Sequence, residues 1–388
     1  MKVSIIVGGK FHAFNLAEQI NKNYSLNQII TSYPKYKLKK YGINRNKITS
    51  IILKEILLKL FNKLSFVNHV FDYNYFLGQY FDYKASKNIN YENTDILVGW
   101  SGFSKICFTR AKKYNCIKIL ERGSSHIKFQ KEILIQEYND LGIRPNVPSE
   151  KMISKEIEEY DLADFICVPS QYVKESFIKY GIKEDKIIKV PYGVDLKEFH
   201  LIKDEKKKNN KFRIISTGSI SIRKGSHYLL EAFLNLNLPN SELVFVGDVS
   251  PEFQKIKKKY SHIANIKFVK KQKQEVLKYY YNNSDAFVLC SIEEGLAMVQ
   301  AQAMACGLPV ICTTNTGGSE IVDDDISGYI IPIRNIEILK DKIKILYNDR
   351  DKLEEMSKCA HAKANNNLSW KNYGDRMLKI YSELIQKN

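Results

Sequence analysis

Two acceptor side chains stand out in the segment SIEEGLAMVQAQAMACGLPV, residues 291–310. Glu294 lies at a turn marked by Gly295, and Gln302 follows after seven intervening residues in a run of good helix formers. This spacing predicts that both side chains lie on one helix face. One acceptor in a loop and one inside a helix suit a ligand rich in hydroxyls, such as a sugar or a ribose. The alternative for Glu294, and for Glu293 beside it, is a charge that complements the dipole at a helix start.

Cationic side chains follow a glycine in the segment TGSISIRKGSHYLLEAF, residues 217–233. The segment lies between a predicted strand and a predicted helix, so backbone amides after Gly218 and the positive helix end can meet a phosphate. Arg223 and Lys224 would add side-chain charge at the same place. The alternative is a solvated basic turn at Gly225.

A further glycine loop occupies the amino-terminal region. Gly8 and Gly9 follow the apolar run VSIIV and precede a predicted helix. Glycines at this place let the backbone approach a ligand closely. His12 lies in the same loop, where a contact with an acceptor or a diphosphate and a helix-start histidine without a role are equal alternatives.

These segments are embedded in an alternation of short β-branched runs and longer amphipathic stretches, which is typical of βαβ units with parallel sheets. Strands are predicted at 3–7, 95–99, 117–121, 165–170 and 186–191, then at 212–217, 242–247, 265–269, 286–290 and 309–313. Helices are predicted at 13–22, 50–64, 104–114, 127–140 and 150–162, then at 225–235, 272–281, 296–305, 318–322 and 335–348, with a helical pattern over 350–388. The pattern predicts an α/β fold of two doubly wound parallel sheets that share a cleft.

A polar run separates the two alternations. Residues 203–211, KDEKKKNNK, have no apolar periodicity, which favours a linker. The chain of 388 residues is long enough for two cores. The predicted division is a first domain at 1–195, a linker at 196–211, a second domain at 212–370 and a carboxyl-terminal helix at 371–388 that packs back on the first domain.

Composition is that of a globular protein, with 44% hydrophobic and 27% charged residues. No run approaches the roughly 20 apolar residues of a membrane-spanning helix, and the amino terminus is typical of a strand rather than of a signal peptide. The seven cysteines include no CxxC pair, which favours reduced core thiols. These features predict a cytoplasmic protein.

The net charge of +17 favours an anionic partner: nucleic acid, an anionic membrane surface or a phosphorylated small molecule. The sequence has no RNP, helix-turn-helix or zinc-finger pattern, so a basic nucleic-acid-binding protein is the weaker alternative and no nucleic acid is expected. It also has no HExxH or DxD motif and no convincing Asp/His cluster, so no metal site is expected.

Several motifs in order carry a resemblance to a known family. Residues 291–310 resemble the EX7E motif of retaining glycosyltransferases of family 4, the glycosyl transferases group 1, which have the GT-B fold. Matches also occur at RKG, at GLPV, at PYGVD (191–195), at TGGSEIV (316–322) and at the amino-terminal glycine loop. The similarity extends from VGGKFHAFNLAEQI (7–20) to LSWKNY (368–373). It implies two Rossmann-like domains that face a central cleft.

The family implies roles for the residues that match its motif. Glu294 would bind hydroxyls of the transferred sugar near the reacting carbon, with Gly295, Leu296 and Ala297 in the same donor-binding loop. Gln302 stands where the family usually has a second Glu that holds the ribose hydroxyls. Gln keeps one acceptor oxygen but loses the charge and gains donors.

The resemblance also assigns the cations. Lys224 and Arg223 would neutralise the donor diphosphate beside Gly218. The family often has an Arg directly after this glycine, where the chain has Ser219, and we infer that Arg223 supplies the charge. The loop Gly8–Gly9 would lie close to the diphosphate and the acceptor.

The family commonly has a histidine near the end of the strand in ILERGSSHIKFQ, residues 119–130, and this histidine contacts the transferred sugar. The candidates for that position in this sequence are Glu121, Arg122 and His126. Arg122 and His126 are the predicted cleft residues, which join Glu294 as catalytic candidates. Glu121 is equally explained as a structural partner of Arg122, and His126 as the start of the next helix.

The stretch SIILKEILLKLFNKL, residues 50–64, is strongly amphipathic and contains Lys54, Lys59 and Lys63. Further lysines precede it at Lys35, Lys37, Lys39 and Lys40. Basic amphipathic helices bind anionic membrane surfaces, and family members that extend lipid-linked glycans often dock in this way. The alternative is an ordinary helix that packs on the sheet and holds its lysines in solvent.

The resemblance implies a metal-independent retaining hexosyltransferase that needs no cofactor. It would move a sugar from a UDP- or GDP-linked donor to a glycan or lipid-linked glycan, in cell-surface polysaccharide or glycoconjugate synthesis. Its place would be the cytoplasm, peripheral at the inner face of the membrane. The alternative with the same fold is a nucleotide-sugar epimerase or hydrolase, which would resemble this chain in fold but not over residues 291–310.

Overall fold

The computed structural model describes residues 1–63, 72–202 and 211–387. Within the predicted linker at 196–211, residues 203–210 lie outside the described residues. The strands are β1 Val3–Val7, β2 Leu26–Thr31, β3 Ile48–Ser50, β4 Ile96–Trp100, β5 Ile117–Glu121, β6 Phe165–Val168, β7 Ile187–Lys189, β8 Phe212–Thr217, β9 Ser241–Val246, β10 Ile266–Val269, β11 Ala286–Leu289, β12 Val310–Thr313 and β13 Gly328–Ile331.

Helices connect these strands, as expected for parallel neighbours, which need a crossover between them. They are α1 Ala13–Lys22, α2 Leu53–Lys63, α3 Tyr73–Ser86, α4 Lys105–Ala111, α5 Ile127–Asp140, α6 Glu150–Leu162, α7 Gln171–Lys179, α8 Ser226–Leu236, α9 Gln254–Tyr260, α10 Gln274–Asn282, α11 Met298–Ala305, α12 Ile336–Asn348, α13 Arg350–Asn367 and α14 Trp370–Lys387. Several begin at a side-chain cap that accepts from the N–H three residues on: Ser149, Ser170, Asn335 and Asp349.

The strands form two separate parallel sheets. The first has the order β3-β2-β1-β4-β5-β6-β7, and the second has the order β10-β9-β8-β11-β12-β13. The direction of the winding reverses between β1 and β4 in the first sheet and between β8 and β11 in the second. Ligands of doubly wound sheets bind outside the carboxyl ends of the strands at such a reversal. The predicted fold class of two doubly wound parallel sheets is confirmed.

Three strands and three helices lack a counterpart in the sequence prediction: β2, β3, β13, α3, α7 and α9. The run LNQIIT of β2 mixes amides with apolar residues, and β3 has only three residues, so neither gives a strong period-two signal. The predicted helix at 318–322 is a single 3-10 turn, Gly318–Glu320.

The chain returns to the first sheet at its end. Val194 N donates to Leu368 O at 2.6 Å, so the segment that leaves the first sheet runs beside the start of α14. Helix α14 then packs on α1, where a Cβ at Gly374 would lie only 2.4 Å from the Cβ of Gln19. This close approach joins the two ends of the described chain.

Candidate functional site

The two loops at the reversal point of the second sheet lie side by side. One follows β8 and contains Gly218, Arg223 and Lys224, and the other follows β11 and contains Glu294. Ile292 N donates to Arg223 O at 2.9 Å and ties the loops together. Helices α8 and α11 begin where these loops end, and neither has a side-chain cap or an acidic residue in its first turn. Their first N–H groups are therefore suited to an anionic ligand.

Gly225 explains why the start of α8 lies so close to the end of β11. Its φ of +62° favours glycine, and a Cβ at this position would lie 1.9 Å from Cys290 O. A side chain here would push the helix away from the neighbouring loop. The glycine therefore brings the two helix starts to one place.

Glu294 lies between the two predicted cations. It forms an ion pair with Lys224, and its Oε1 lies 3.9 Å from Nη2 of Arg223. Burial raises the pKa of Glu294, but the charges of Lys224 and Arg223 outweigh this effect and lower the pKa below its ordinary value. Its side chain is 16% exposed, so an ionised carboxylate remains accessible to a ligand.

The neighbouring Glu293 is fully buried and joins the two domains. Its Oε1 accepts from the backbone N and the hydroxyl of Ser125 at 3.0 and 2.8 Å, and its Oε2 accepts from Gln130 and Arg223, both at 2.9 Å. Helix α11 begins only at Met298, so Glu293 is not a charge within the helix start. No local pattern in the sequence indicates this role, because the partners of Glu293 come from distant segments.

Gly295 lies at a close approach of the two domains beside this pair of glutamates. A Cβ at Gly295 would lie 1.9 Å from Gly123 O, which belongs to the loop after β5. Ser170, at the start of α7, donates its hydroxyl to Gly295 O at 2.7 Å. Glycine is required here because the backbones of the two domains touch.

Arg122 is buried inside the first domain rather than open to the cleft. Its side chain is 8% exposed. Burial lowers the pKa of Arg122, but the charges of Glu156, Tyr160 and Glu293 together outweigh burial and raise it. Every direction of the guanidinium meets a protein acceptor: Ser125 O at 3.1 and 3.2 Å, Gln130 Oε1 at 2.9 Å, Ser101 Oγ at 3.2 Å and Glu156 Oε2 at 3.0 Å. In this geometry Arg122 shapes the loop that holds Glu293.

His126 caps helix α5. Its Nδ1 accepts from Lys128 N at 3.3 Å, and its ring stacks on Tyr180 with centroids 4.5 Å apart. The rings of Tyr160 and Phe177 pack on its other sides, both at 5.1 Å. Burial, with the charges of Arg122 and Lys128, lowers the pKa of His126 to about 4. These contacts all lie within the first domain, and its assignment as a sugar-contacting residue stays a prediction.

The amino-terminal glycine loop lies at the reversal point of the first sheet, after β1. Lys54 donates to Gly8 O at 2.8 Å, and Thr31 donates to Gly9 O at 3.0 Å. Lys54 is therefore buried beneath the loop and does not belong to a solvent-facing row of lysines on α2. The side chain of Lys63 lies outside the described residues, whereas Lys59 is exposed.

His12 faces the interior. Its Nε2 lies 3.1 Å from Oε2 of Glu121, and its ring packs against Trp100, Tyr192 and Tyr373. Glu121 thus has His12, rather than Arg122, as its hydrogen-bonded partner. The alternative of a histidine without a contact to a ligand is the one that this geometry favours.

The remaining donor-loop residues follow Glu294 into α11. Leu296 and Ala297 are buried, and Ala297 N donates to Thr316 O at 3.3 Å. Gln302 lies one helical turn inside α11, where Tyr281 donates to its Oε1 at 3.4 Å. It stays partly exposed on the cleft side of the second domain.

A second buried carboxylate joins the domains farther from the loops. Glu137 of α5 is fully buried, and it lies 3.0 Å from Nε2 of His227 and 2.7 Å from Nε of Arg334. Burial raises the pKa of Glu137, but its hydrogen bonds to His227 and Arg334 lower it overall. Leu134 and Tyr138 of the same helix are part of the second domain's hydrophobic core. Helix α5 therefore fastens the first domain onto the second.

Over residues 1–63, 72–202 and 211–387, no group of three or more His, Cys, Asp or Glu side chains is arranged to hold a metal ion. Within the same ranges, no helix has the length and apolarity needed to cross a bilayer. All seven cysteines are free thiols. The groups available to a ligand at the loops after β8 and β11 are the cations Arg223 and Lys224, the starts of α8 and α11, and the ionised carboxylate of Glu294.

Solved structures share this architecture over the whole chain. A sucrose-phosphate synthase from Thermosynechococcus elongatus superposes with a TM-score of 0.71 at 16% identity, covering 100% of both chains. HepE of Anabaena, solved in complex with UDP, superposes with a TM-score of 0.71 at 15% identity, covering 99% of this chain and 100% of its own. The fold is GT-B.

The sequence comparisons agree. Residues 198–363 match the family model described as glycosyl transferases group 1. The chain resembles this family. Spore coat protein SA of Bacillus subtilis is 26% identical over 56% of this chain and 64% of its own length. A probable sucrose-phosphate synthase of Thermosipho melanesiensis is 28% identical over 61% of this chain and 57% of its own length. The matches thus span somewhat less than two thirds of these relatives.

Proposed function

We propose that this group 1-like chain is a glycosyltransferase that moves a sugar from a nucleotide-diphosphate-sugar to a glycan or lipid-linked glycan. The observation that carries the proposal is the meeting of Lys224, Arg223 and Glu294 at two uncapped helix starts. A diphosphate leaving group needs positive charge, and a sugar needs an acceptor for its hydroxyls. The loops after β8 and β11 together contain both the positive charge and the acceptor.

In the proposed reaction, the bond between the sugar carbon and the diphosphate oxygen breaks, the acceptor hydroxyl oxygen bonds to that carbon, and the hydroxyl proton passes to the departing diphosphate. Negative charge grows on the diphosphate as the bond lengthens. Lys224, Arg223 and the N–H groups at the starts of α8 and α11 stabilise this charge without a metal ion. Glu294 accepts from sugar hydroxyls and lies beside the positively charged, oxocarbenium-like sugar. Gln302 accepts from the ribose.

The neighbouring structures support a nucleotide-sugar donor. HepE of Anabaena is described in complexes with UDP, with UDP and glucose, and with UDP-glucose. We extend this donor class, UDP- or GDP-linked, to the present chain. Retention of the anomeric configuration and metal independence follow from the resemblance to family 4 and complete the proposal.

The test is Glu294→Gln in an assay against a panel of UDP- and GDP-sugars with glycan and lipid-linked acceptors. We expect turnover to fall by about a hundredfold to a thousandfold, as for loss of a preorganised electrostatic group. Glu354→Gln on the exposed face of α13 is the matched control and should keep full turnover. Full turnover in Glu294→Gln would contradict the donor-site assignment. Free sugar or an epimerised donor, formed without any glycoside, would favour the epimerase or hydrolase alternative.

We further propose that α2 docks the protein on an anionic membrane at the cytoplasmic face, where lipid-linked acceptors for cell-surface glycans lie. Leu53, Ile56 and Leu60 of α2 are about half exposed, and so is Phe76 of the adjacent α3. Lys59 lies on the same exposed helix. Apolar residues flanked by lysine suit the boundary between headgroups and acyl chains.

Flotation with vesicles that contain anionic phosphatidylglycerol tests this surface. We expect Ile56→Ser with Leu60→Ser to lower the bound fraction severalfold, because apolar burial drives interfacial binding. Ile178→Ser with Ile345→Ser removes two exposed isoleucines from other helices and should bind as the unmodified protein does. Equal binding of both pairs would exclude α2 as the docking surface.

A further inference from the structure

A cavity of about 390 Å³ opens between α1, the 3-10 turn Lys35–Tyr41, the segment after β7 and the start of α14. Gln302 and Met298 of α11 form its wall on the second domain, so it adjoins the proposed ribose position. Charged side chains around it are the cations Lys10, Lys22, Lys40, Lys197 and Lys371 and the anions Glu18 and Asp195. The lining is therefore strongly cationic.

Some of these lysines already have a carboxylate partner. Lys22 lies 2.8 Å from Glu18, and Lys371 lies 2.7 Å from Asp375. Lys10 and Lys40 form no ion pair anywhere in the described part of the chain, although Lys40 lies over the ring of Tyr41. Lys10, directly after the glycine loop, is half-buried. Of the five lysines that line the cavity, Lys10, Lys40 and Lys197 thus form no ion pair within the described ranges, and Lys10 is the half-buried one.

Like charge also approaches from the second domain. Burial lowers the pKa of Lys10, and the charges of Lys40, Lys37 and Lys271 lower it further. Lys271 lies between β10 and α10, whereas the other three belong to the first domain. Cations brought together across a cleft repel one another, and an anion placed between them removes that cost.

We propose that this cavity binds the phosphate or diphosphate group of the acceptor substrate, held by Lys10 and Lys40 of the first domain. The proposal rests on the proposed function and specifies its acceptor as a phosphorylated one. The site differs from the proposed donor diphosphate position, because none of Arg223, Lys224 and Glu294 lines the cavity. Gln302 is consistent with it, since a Glu there would add negative charge beside the bound phosphate.

Isothermal titration calorimetry tests the site in two steps. The first step titrates the full chain with UDP and with GDP and thereby tests the donor site alone. The second step titrates the nucleotide-saturated protein with inorganic pyrophosphate. We expect Lys10→Met with Lys40→Met to weaken pyrophosphate binding by about tenfold or more, because each charge-assisted contact is strong. Nucleotide affinity should change little by comparison.

The matched control is Lys112→Met with Lys113→Met. These exposed lysines follow α4 and precede β5, at the end of the first sheet opposite the cleft, and they remove the same net charge. Pyrophosphate affinity in this control should stay within about twofold of the unmodified protein, because distant surface charges are screened. A tenfold loss in the control as well would reveal a general charge effect and overturn the site.

Two further probes separate the sources of the phosphate. Tighter binding of geranyl diphosphate than of glucose 1-phosphate assigns the site to a lipid-linked acceptor, and the reverse order assigns it to a soluble sugar phosphate. Equal pyrophosphate affinity in Lys10→Met with Lys40→Met and in the unmodified protein overturns the proposal. If neither nucleotide binds, the donor assignment fails, and the same pyrophosphate titration in a Lys224→Met background still tests the cavity.

Discussion

The loop after β11 and the loop after β5 face each other across the cleft and carry similar residue types. The loop after β11 holds Glu294 beside Lys224, with the carboxylate still accessible. The loop after β5 holds Arg122 and His126, and both side chains are enclosed by partners of their own domain. The loop after β11 thus leaves a charged group available to a ligand. In the loop after β5, protein partners already occupy the polar groups of these two side chains.

This difference shows how a charged residue that binds a ligand can be distinguished from one that stabilises the structure. Glu293 and Glu294 are neighbours in sequence, yet Glu293 has four hydrogen bonds from protein donors and no exposure. A buried charge must be paired, so full pairing indicates a structural role. A carboxylate that is paired but still partly exposed, as Glu294 is in the loop before α11, indicates a place reserved for a ligand.

The largest expected effect on stability comes from Glu293→Gln. Loss of the carboxylate leaves Arg223 with less counter-charge. It also places an amide NH₂ among the hydrogen-bond donors that surround Glu293. Together these effects should lower the free energy of unfolding by about 3 kcal/mol. Urea unfolding of the variant beside the unmodified protein measures this loss. Glu294→Gln should change the same free energy by less than about 1 kcal/mol, because its pair is partly solvated. Similar losses in both variants would erase the distinction between the two glutamates.

His126 provides a test through pH. Its pKa is about 4 in the folded protein and about 6.5 when unfolded, so the unfolded chain binds more protons between these values. The contribution of His126 to the free energy of unfolding should therefore be fully present above pH 6.5. It should fall by about 3 kcal/mol as the pH drops towards 4.

His126→Asn keeps a capping side chain but removes the titration, so thermal unfolding across pH should show a shallower loss below pH 6.5. Transfer by this variant at neutral pH should stay within about threefold of the unmodified protein if the cap is its role. A large loss of transfer with an unchanged melting temperature would indicate that His126 acts in catalysis and is not only a helix cap.

The smallest expected effect is that of Gln302→Glu. A carboxylate accepts a stronger hydrogen bond from a ribose hydroxyl than an amide does, so nucleoside diphosphate affinity should increase by about fivefold. The same variant should weaken pyrophosphate binding in the adjoining cavity, because it adds negative charge beside Lys10 and Lys40. Calorimetry with both ligands measures the two changes, and parallel shifts in the same direction would contradict separate donor and acceptor sites.

The strongest sequence predictions rest on local signals. The strand at 117–121 and the helices at 13–22, 127–140 and 150–162 agree with the structure residue for residue, because the apolar periodicity that predicts each one lies within the segment itself. Strands β3 and β13 were not predicted, because they have only three and four residues and show no clear local pattern. Such short strands depend on neighbouring strands for their hydrogen bonds.

The sequence by itself determined the two doubly wound sheets, the glycine-marked loops and the set of residue types that could bind a sugar and a phosphate. The tertiary structure alone decided which charges remain available. It placed Lys54 beneath Gly8 instead of on a membrane-facing row, turned His12 towards Glu121, and joined Glu293 to Ser125 across the domain interface. Pairing depends on distances between segments far apart in the chain, and no local pattern encodes those distances.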